Sequence, residues 1–150
     1  MRQQRTIGAI VKVPLEDGFH TYARTLSDAA FAFYDSRTKE DITDLNEIIS
    51  RPVLFIIGVY NSAVTKGRWL KLGKVPLESK FDTLPLQFIQ DALDPTRFKI
   101  YDNGIIRNAT REECVGLERT AVWEAEHVEE RLNDHYAGRT NRWVESLRMK

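Results

Sequence analysis

The chain has 150 residues, 42% hydrophobic and 29% charged, with 22 basic and 22 acidic side chains. That length suits a single globular domain over 1–150, able to bury roughly 70% of its unfolded surface without a staple. A formal charge of zero argues against a general nucleic-acid binder, and the single cysteine, Cys114, excludes an internal disulfide framework.

The chain opens with basic residues and a short apolar stretch that Lys12 and Pro14 interrupt, unlike a secretory core. Alternation over 7–13 predicts a largely buried strand. Residues 14–18, Pro-Leu-Glu-Asp-Gly, form a turn that returns the chain as a second strand over 19–26, with Tyr22 and Arg24 on one face. A third, aromatic-rich strand runs over 29–34. A short helix or turn follows at 41–50, with Thr43 as its cap, and Arg51-Pro52 ends it. The run 53–60 is apolar on both faces and reads as the central strand of the sheet. It is the longest apolar run, far below the roughly 20 residues of a membrane span, so the sequence predicts a soluble, cytoplasmic protein.

Residues 65–77 read as loop and short strand, and 86–89 as a further short strand. The clearest hairpin joins 98–101 to 105–107 through Asp102-Asn103-Gly104. Thr110 opens a short helix with early acids. Residues 118–123 read as a strand. Residues 124–137 form an amphipathic helix, with Ala125, Val128, Leu132 and Tyr136 in one stripe and Gly138 as its stop. A last short helix occupies 141–148. The fold class is therefore α+β: a curved, mostly antiparallel sheet from the N-terminal two-thirds, packed by one long and one short C-terminal helix.

Signatures of catalysis are missing from this pattern. His20, His127 and His135 fall in no metal-binding spacing, and the glycines form no phosphate-binding loop or nucleophile elbow. Cofactors and metals are not expected, and the chain is read as a non-enzyme. Two charge clusters stand out. Residues 66–74 carry Lys66, Arg68, Lys71 and Lys74 with Trp69 among them, a pattern able to hold phosphate or stack on a base. The plainer reading is an exposed loop anchored by one buried Trp. Residues 111–135 hold eight acids against three bases. The helical acids Glu126, Glu129, Glu130 and Asp134 would suit a partner with a basic surface, or would simply be a solvated helix face.

Several stretches in order resemble the immunity protein 26 family of bacterial polymorphic toxin systems. They are Ile7-Gly8 leading to Val13-Pro14-Leu15-Glu16-Asp17-Gly18, then Tyr22-Ala23-Arg24, Phe33-Tyr34-Asp35, Pro52-Val53-Leu54-Phe55, and Gly67-Arg68-Trp69 with Leu72-Gly73. The resemblance covers roughly the first half of the chain. It implies an immunity protein that neutralises a cognate protein toxin by direct binding, with no catalytic residues to carry over and no membrane partner. Two alternatives stand beside it. One is a small-ligand or nucleic-acid module using the 66–74 cluster. The other is an enzyme with an unfamiliar site drawing on His20, Tyr22, Arg24 and Trp69.

Overall fold

A computed structural model describes residues 2–150. Its ten strands lie in two mostly antiparallel sheets with five α-helices, so the α+β class holds. The described chain separates into two compact units, each built from two pieces of sequence. The first runs to Glu78 and is completed by Val122–Asn141. The second comprises Ser79–Ala121 and Arg142–Lys150.

The first unit holds β1 (Ala9–Pro14), β2 (His20–Thr25), β3 (Ala30–Tyr34), β4 (Val53–Val59) and β5 (Leu70–Lys74). Helix α1 (Leu45–Ile49) precedes β4, and α2 (Ser62–Thr65) follows it. The sheet order is β10-β4-β3-β2-β1-β5, where β10 is Val122–Trp123 and runs parallel to β4. Strand β4 is thus next to last, not central. Every residue of β2 and β3 is buried, whereas β4 is largely half-buried. The polar composition of β2 concealed its position: His20, Thr21, Arg24 and Thr25 are all buried. Hydrogen bonds replace water for the side chains of His20, Thr21 and Arg24, while the Thr25 hydroxyl is buried without one.

Strand alternation sends the two faces of this sheet to different partners. One face pairs Ala23 with Phe33 and Phe33 with Phe55, and sets Phe31 between Thr25 and Ile57. The fully buried Trp69 ring meets Phe31 and Phe33 edge-to-face, each with ring centres 5.6 Å apart. Each such contact is worth about 0.5–1.5 kcal/mol beyond the area it covers. Helix α4 (Ala125–Ala137) lies over this face, burying Val128 and Leu132 and setting Arg131 3.8 Å from the Phe55 ring centre. Gly138 closes the helix in the left-handed conformation, φ 69°. The opposite face gathers Ile10, Tyr22, Tyr34 and Ile48 into a second core under α1. Asp44 caps α1 by accepting from the Asn46 N–H at 2.9 Å, where the sequence pointed to Thr43. At Gly73, an added Cβ would come 2.8 Å from Leu45 Cδ1, so the Leu45 side chain rests directly on the β5 backbone and would have to shift for a larger residue.

Tyr136 ties α4 to the end of β3. Its hydroxyl accepts from the Ser36 N–H at 2.9 Å and donates to Asp35 Oδ1 at 3.1 Å. Burial, with the Asp35 carboxylate beside it, pushes the phenol up to about 12. The folded state therefore holds this proton more tightly than the unfolded chain. The resulting stabilisation is complete below pH ~10 and is lost as the pH rises towards 12. Thermal melts across this range should fall more steeply for the wild type than for Tyr136→Phe. Parallel curves would contradict the assignment.

The second unit holds β6 (Gln87–Gln90), β7 (Phe98–Asp102), β8 (Ile105–Ala109) and β9 (Glu118–Arg119) in the order β8-β7-β6-β9. The expected hairpin is β7–β8, with Asn103 and Gly104 both at positive φ, as its two-residue turn requires. Helix α3 (Arg111–Cys114) carries a reciprocal cap between Thr110 and Glu113. One face of this sheet buries Phe88, Phe98, Ile100 and Cys114, packed by Leu117 and Met149. Helix α5 (Arg142–Ser146) closes the chain's helical content. The single strand expected over 118–123 is two short strands, β9 and β10, in different sheets.

Candidate partner-binding site

The two charge clusters of the sequence meet. Arg68 donates through Nε to Glu129 Oε2 and through Nη2 to Glu129 Oε1, each at 2.7 Å, a bidentate pair. The Trp69 indole N–H donates to Glu129 Oε2 at 2.9 Å. Arg68 also lies 3.4 Å from Glu126, and the hydrogen-bonded Glu129 carboxylate holds its guanidinium above the ordinary value. Glu129 is thus a buried acceptor for the two residues that lead into β5. Asp134 is likewise engaged, by Arg139 at 3.0 Å and by the Asn141 amide at 2.9 Å. Glu126 remains exposed, and Glu130 is half-buried and engaged within the fold.

The basic cluster divides in the same way. Lys71 donates to Thr6 Oγ1 at 2.6 Å and to the Gln4 carbonyl at 3.2 Å. Lys66 and Lys74 are exposed. Trp69 has no exposed surface, so it offers no ring face on which a base could stack.

The four residues weighed as an enzymatic site do not converge. Trp69 faces α4, while His20, Tyr22 and Arg24 lie on the opposite face of the sheet. Arg24 is also fully buried. Its Nε donates to the Gly8 carbonyl at 2.8 Å, Nη1 to Tyr34 Oη and Glu78 Oε1, and Nη2 to the carbonyls of Val75 and Pro76. Those bonds use all five guanidinium donors, so none is left for a ligand.

His20 and Tyr22 border a different feature. The Tyr22 hydroxyl accepts from the Ile42 N–H at 2.8 Å, which leaves its own proton for His20 Nε2, also 2.8 Å away. Burial, and then the Lys12 charge, push the imidazole down, consistent with a neutral acceptor. Lys12 pairs with Asp41 at 2.7 Å and lowers that carboxyl. Beside this network lies a groove of about 460 Å³, floored by Tyr22, Ile42 and Leu45 and walled by Leu70 and Leu72 of β5, with Lys12 and Asp41 at its rim. Leu70 and Leu72 are 40% and 43% exposed. The neighbouring segment 35–47 carries Asp35, Glu40, Asp41, Asp44 and Glu47, all exposed, against Arg37 and Lys39. Sequence reading passed over this site because its leucines are ordinary in a strand and its acids come from a loop. Only the fold sets them side by side.

Exposed apolar side chains beside a polar rim of mixed but mainly acidic charge are features that protein-binding surfaces share. The family model described as Immunity protein 26 matches residues 6–99, more than half of the chain. The chain belongs to this immunity protein family. No curated protein and no solved structure matches it. Membership supports an immunity role and implies a toxin as partner. Among the described residues no helix is long and apolar enough to cross a membrane.

Proposed function

We propose that this protein neutralises a cognate toxin in the cytoplasm by direct, non-catalytic binding, and that the groove of the first unit is the centre of the contact. The match over 6–99 carries the reading, and every residue named in the groove falls inside that segment. The surface suits a toxin segment that places an apolar side chain between Leu70, Leu72 and Leu45, with lysines or arginines meeting the acids of 35–47. Binding of this kind needs a rigid scaffold, which the two packed faces of the first sheet supply.

The test begins with the tagged protein recovered from its own bacterium together with its bound partners. The expected result is one stoichiometric partner, toxic when expressed alone and harmless when this protein is co-expressed. Absence of such a partner while neighbouring genes are expressed ends the reading. With that toxin in hand, Leu72→Lys should weaken binding by about 30-fold or more, the range of an interface hot spot. Charge reversal at Glu126 and Glu130 distinguishes the other surface. Slower association at low salt, with Leu72→Lys silent, would move the contact to α4. Glu129 is left intact in this experiment because its carboxylate holds Arg68 and Trp69.

A further inference from the structure

Two open sheets have four ends, and among the described residues three of them are closed to strand addition. Strands β10 and β9 are two residues long. The β5 end is capped by one side chain: the Gln3 amide accepts from the Lys71 N–H at 2.9 Å and donates to the Trp69 carbonyl at 2.8 Å, as a neighbouring strand would. The fourth end, β8, is five residues long and has no such cover. Ile105 and Ile106 are 70% and 55% exposed. An uncovered apolar edge of this length is a template for pairing, and folded proteins normally blunt it.

We infer that β8 is a self-association edge, pairing antiparallel with β8 of a second copy about a two-fold axis at Ile106. The backbone decides the register. In a two-residue hairpin the pair flanking the turn, Asp102 and Ile105, is hydrogen-bonded. Alternation then turns the N–H and C=O of Ile106 and Asn108 away from β7. A two-fold axis at Ile106 sets these groups against their own symmetry mates, Ile106 on Ile106 and Asn108 on Gly104. It also packs the two Ile106 side chains together and places Ile105 opposite Arg107. An axis one residue further on would set Arg107 against Arg107, which like charge disfavours.

The self-complementary register favours a second copy over other occupants, and charge does not oppose it. The charge that could protect this edge, Arg107, is already paired with Glu113 at 3.2 Å. The whole chain has a formal charge of zero, so two copies meet without net repulsion. The contact is isologous and closes on itself: joining the two β8 edges gives one eight-stranded sheet whose remaining ends are two-residue β9 strands. No toxin enters this argument, so it stands or falls apart from the proposed function.

The test is sedimentation of the full chain alone, from micromolar to sub-millimolar concentration. The wild type should dimerise reversibly. Ile106→Lys and Ile106→Asp should each raise the dissociation constant about tenfold or more by setting like charges face to face. An equimolar mixture of the two variants should recover the dimer, an outcome that misfolding of either cannot produce. A wild type that stays monomeric throughout overturns the inference. So does a dimer unaffected by both variants, or a mixture that stays monomeric.

Discussion

Arg24→Met is expected to lower the unfolding free energy by about 3–5 kcal/mol, the cost of withdrawing a fully buried cation whose five donors serve four oxygens of the fold and a half-buried carboxylate. The substitution keeps much of the side-chain stem but removes five donors. It leaves the Glu78 carboxylate without its bonded cation, and the carbonyls of Gly8, Val75 and Pro76 without these donors. A folded domain is typically held by only about 5–15 kcal/mol, so the loss is a large share of the stability available. Arg24→Lys keeps the charge, but its three donors on one nitrogen cannot span the same acceptors, so it should recover only part of the loss. Urea titration measures both. A loss below about 1 kcal/mol for the methionine variant would mean that the carbonyls find other partners.

Glu129→Ala is the second large effect, expected at about 2–3 kcal/mol. The dominant cost is the Trp69 N–H, left buried with no acceptor. The Arg68 pair contributes less, because that guanidinium is 42% exposed and water screens it. Glu129→Gln should recover the larger part of the loss, since its amide oxygen can still accept from the indole. Indole emission offers a second readout, shifting to the red in the alanine variant if water reaches Trp69. An alanine variant as stable as the wild type would show that Glu129 is surface charge after all.

These two residues also mark how far the sequence could be read. Strands with a strict period, such as 7–13 and the Asn103-Gly104 hairpin, were legible because local patterning alone determines them. Helix α4 was legible from its stripe and its Gly138 stop. The centre of the first sheet was not. Apolar content points to β4, yet the middle strands are β2 and β3, whose buried polar groups look like surface until their partners at 75–78 and in the 38–42 loop are known. The two charge clusters were visible as clusters. Their mutual neutralisation was not, because Arg68 and Glu129 are 61 residues apart in sequence and no local signal links them. Likewise, no pattern in the sequence announces that 118–123 serves two sheets.

The interleaved order of the two units bears on how the chain is made. The first unit lacks β10 and α4 until residue 141 has been synthesised, because Val122–Asn141 belong to it. Until then its sheet, five-stranded before β10 is made, lacks the carboxylate that receives Arg68 and Trp69, and the face carrying Phe31, Phe33 and Phe55 has no helix over it. Domains whose N-terminal part is self-sufficient fold as they emerge, whereas long-range closure delays folding and leaves apolar surface open to wrong partners. The first unit is thus finished only once α4 has been made, and a ribosome halted between β5 and the end of α4 would carry an open sheet whose apolar face is left to chaperones to cover.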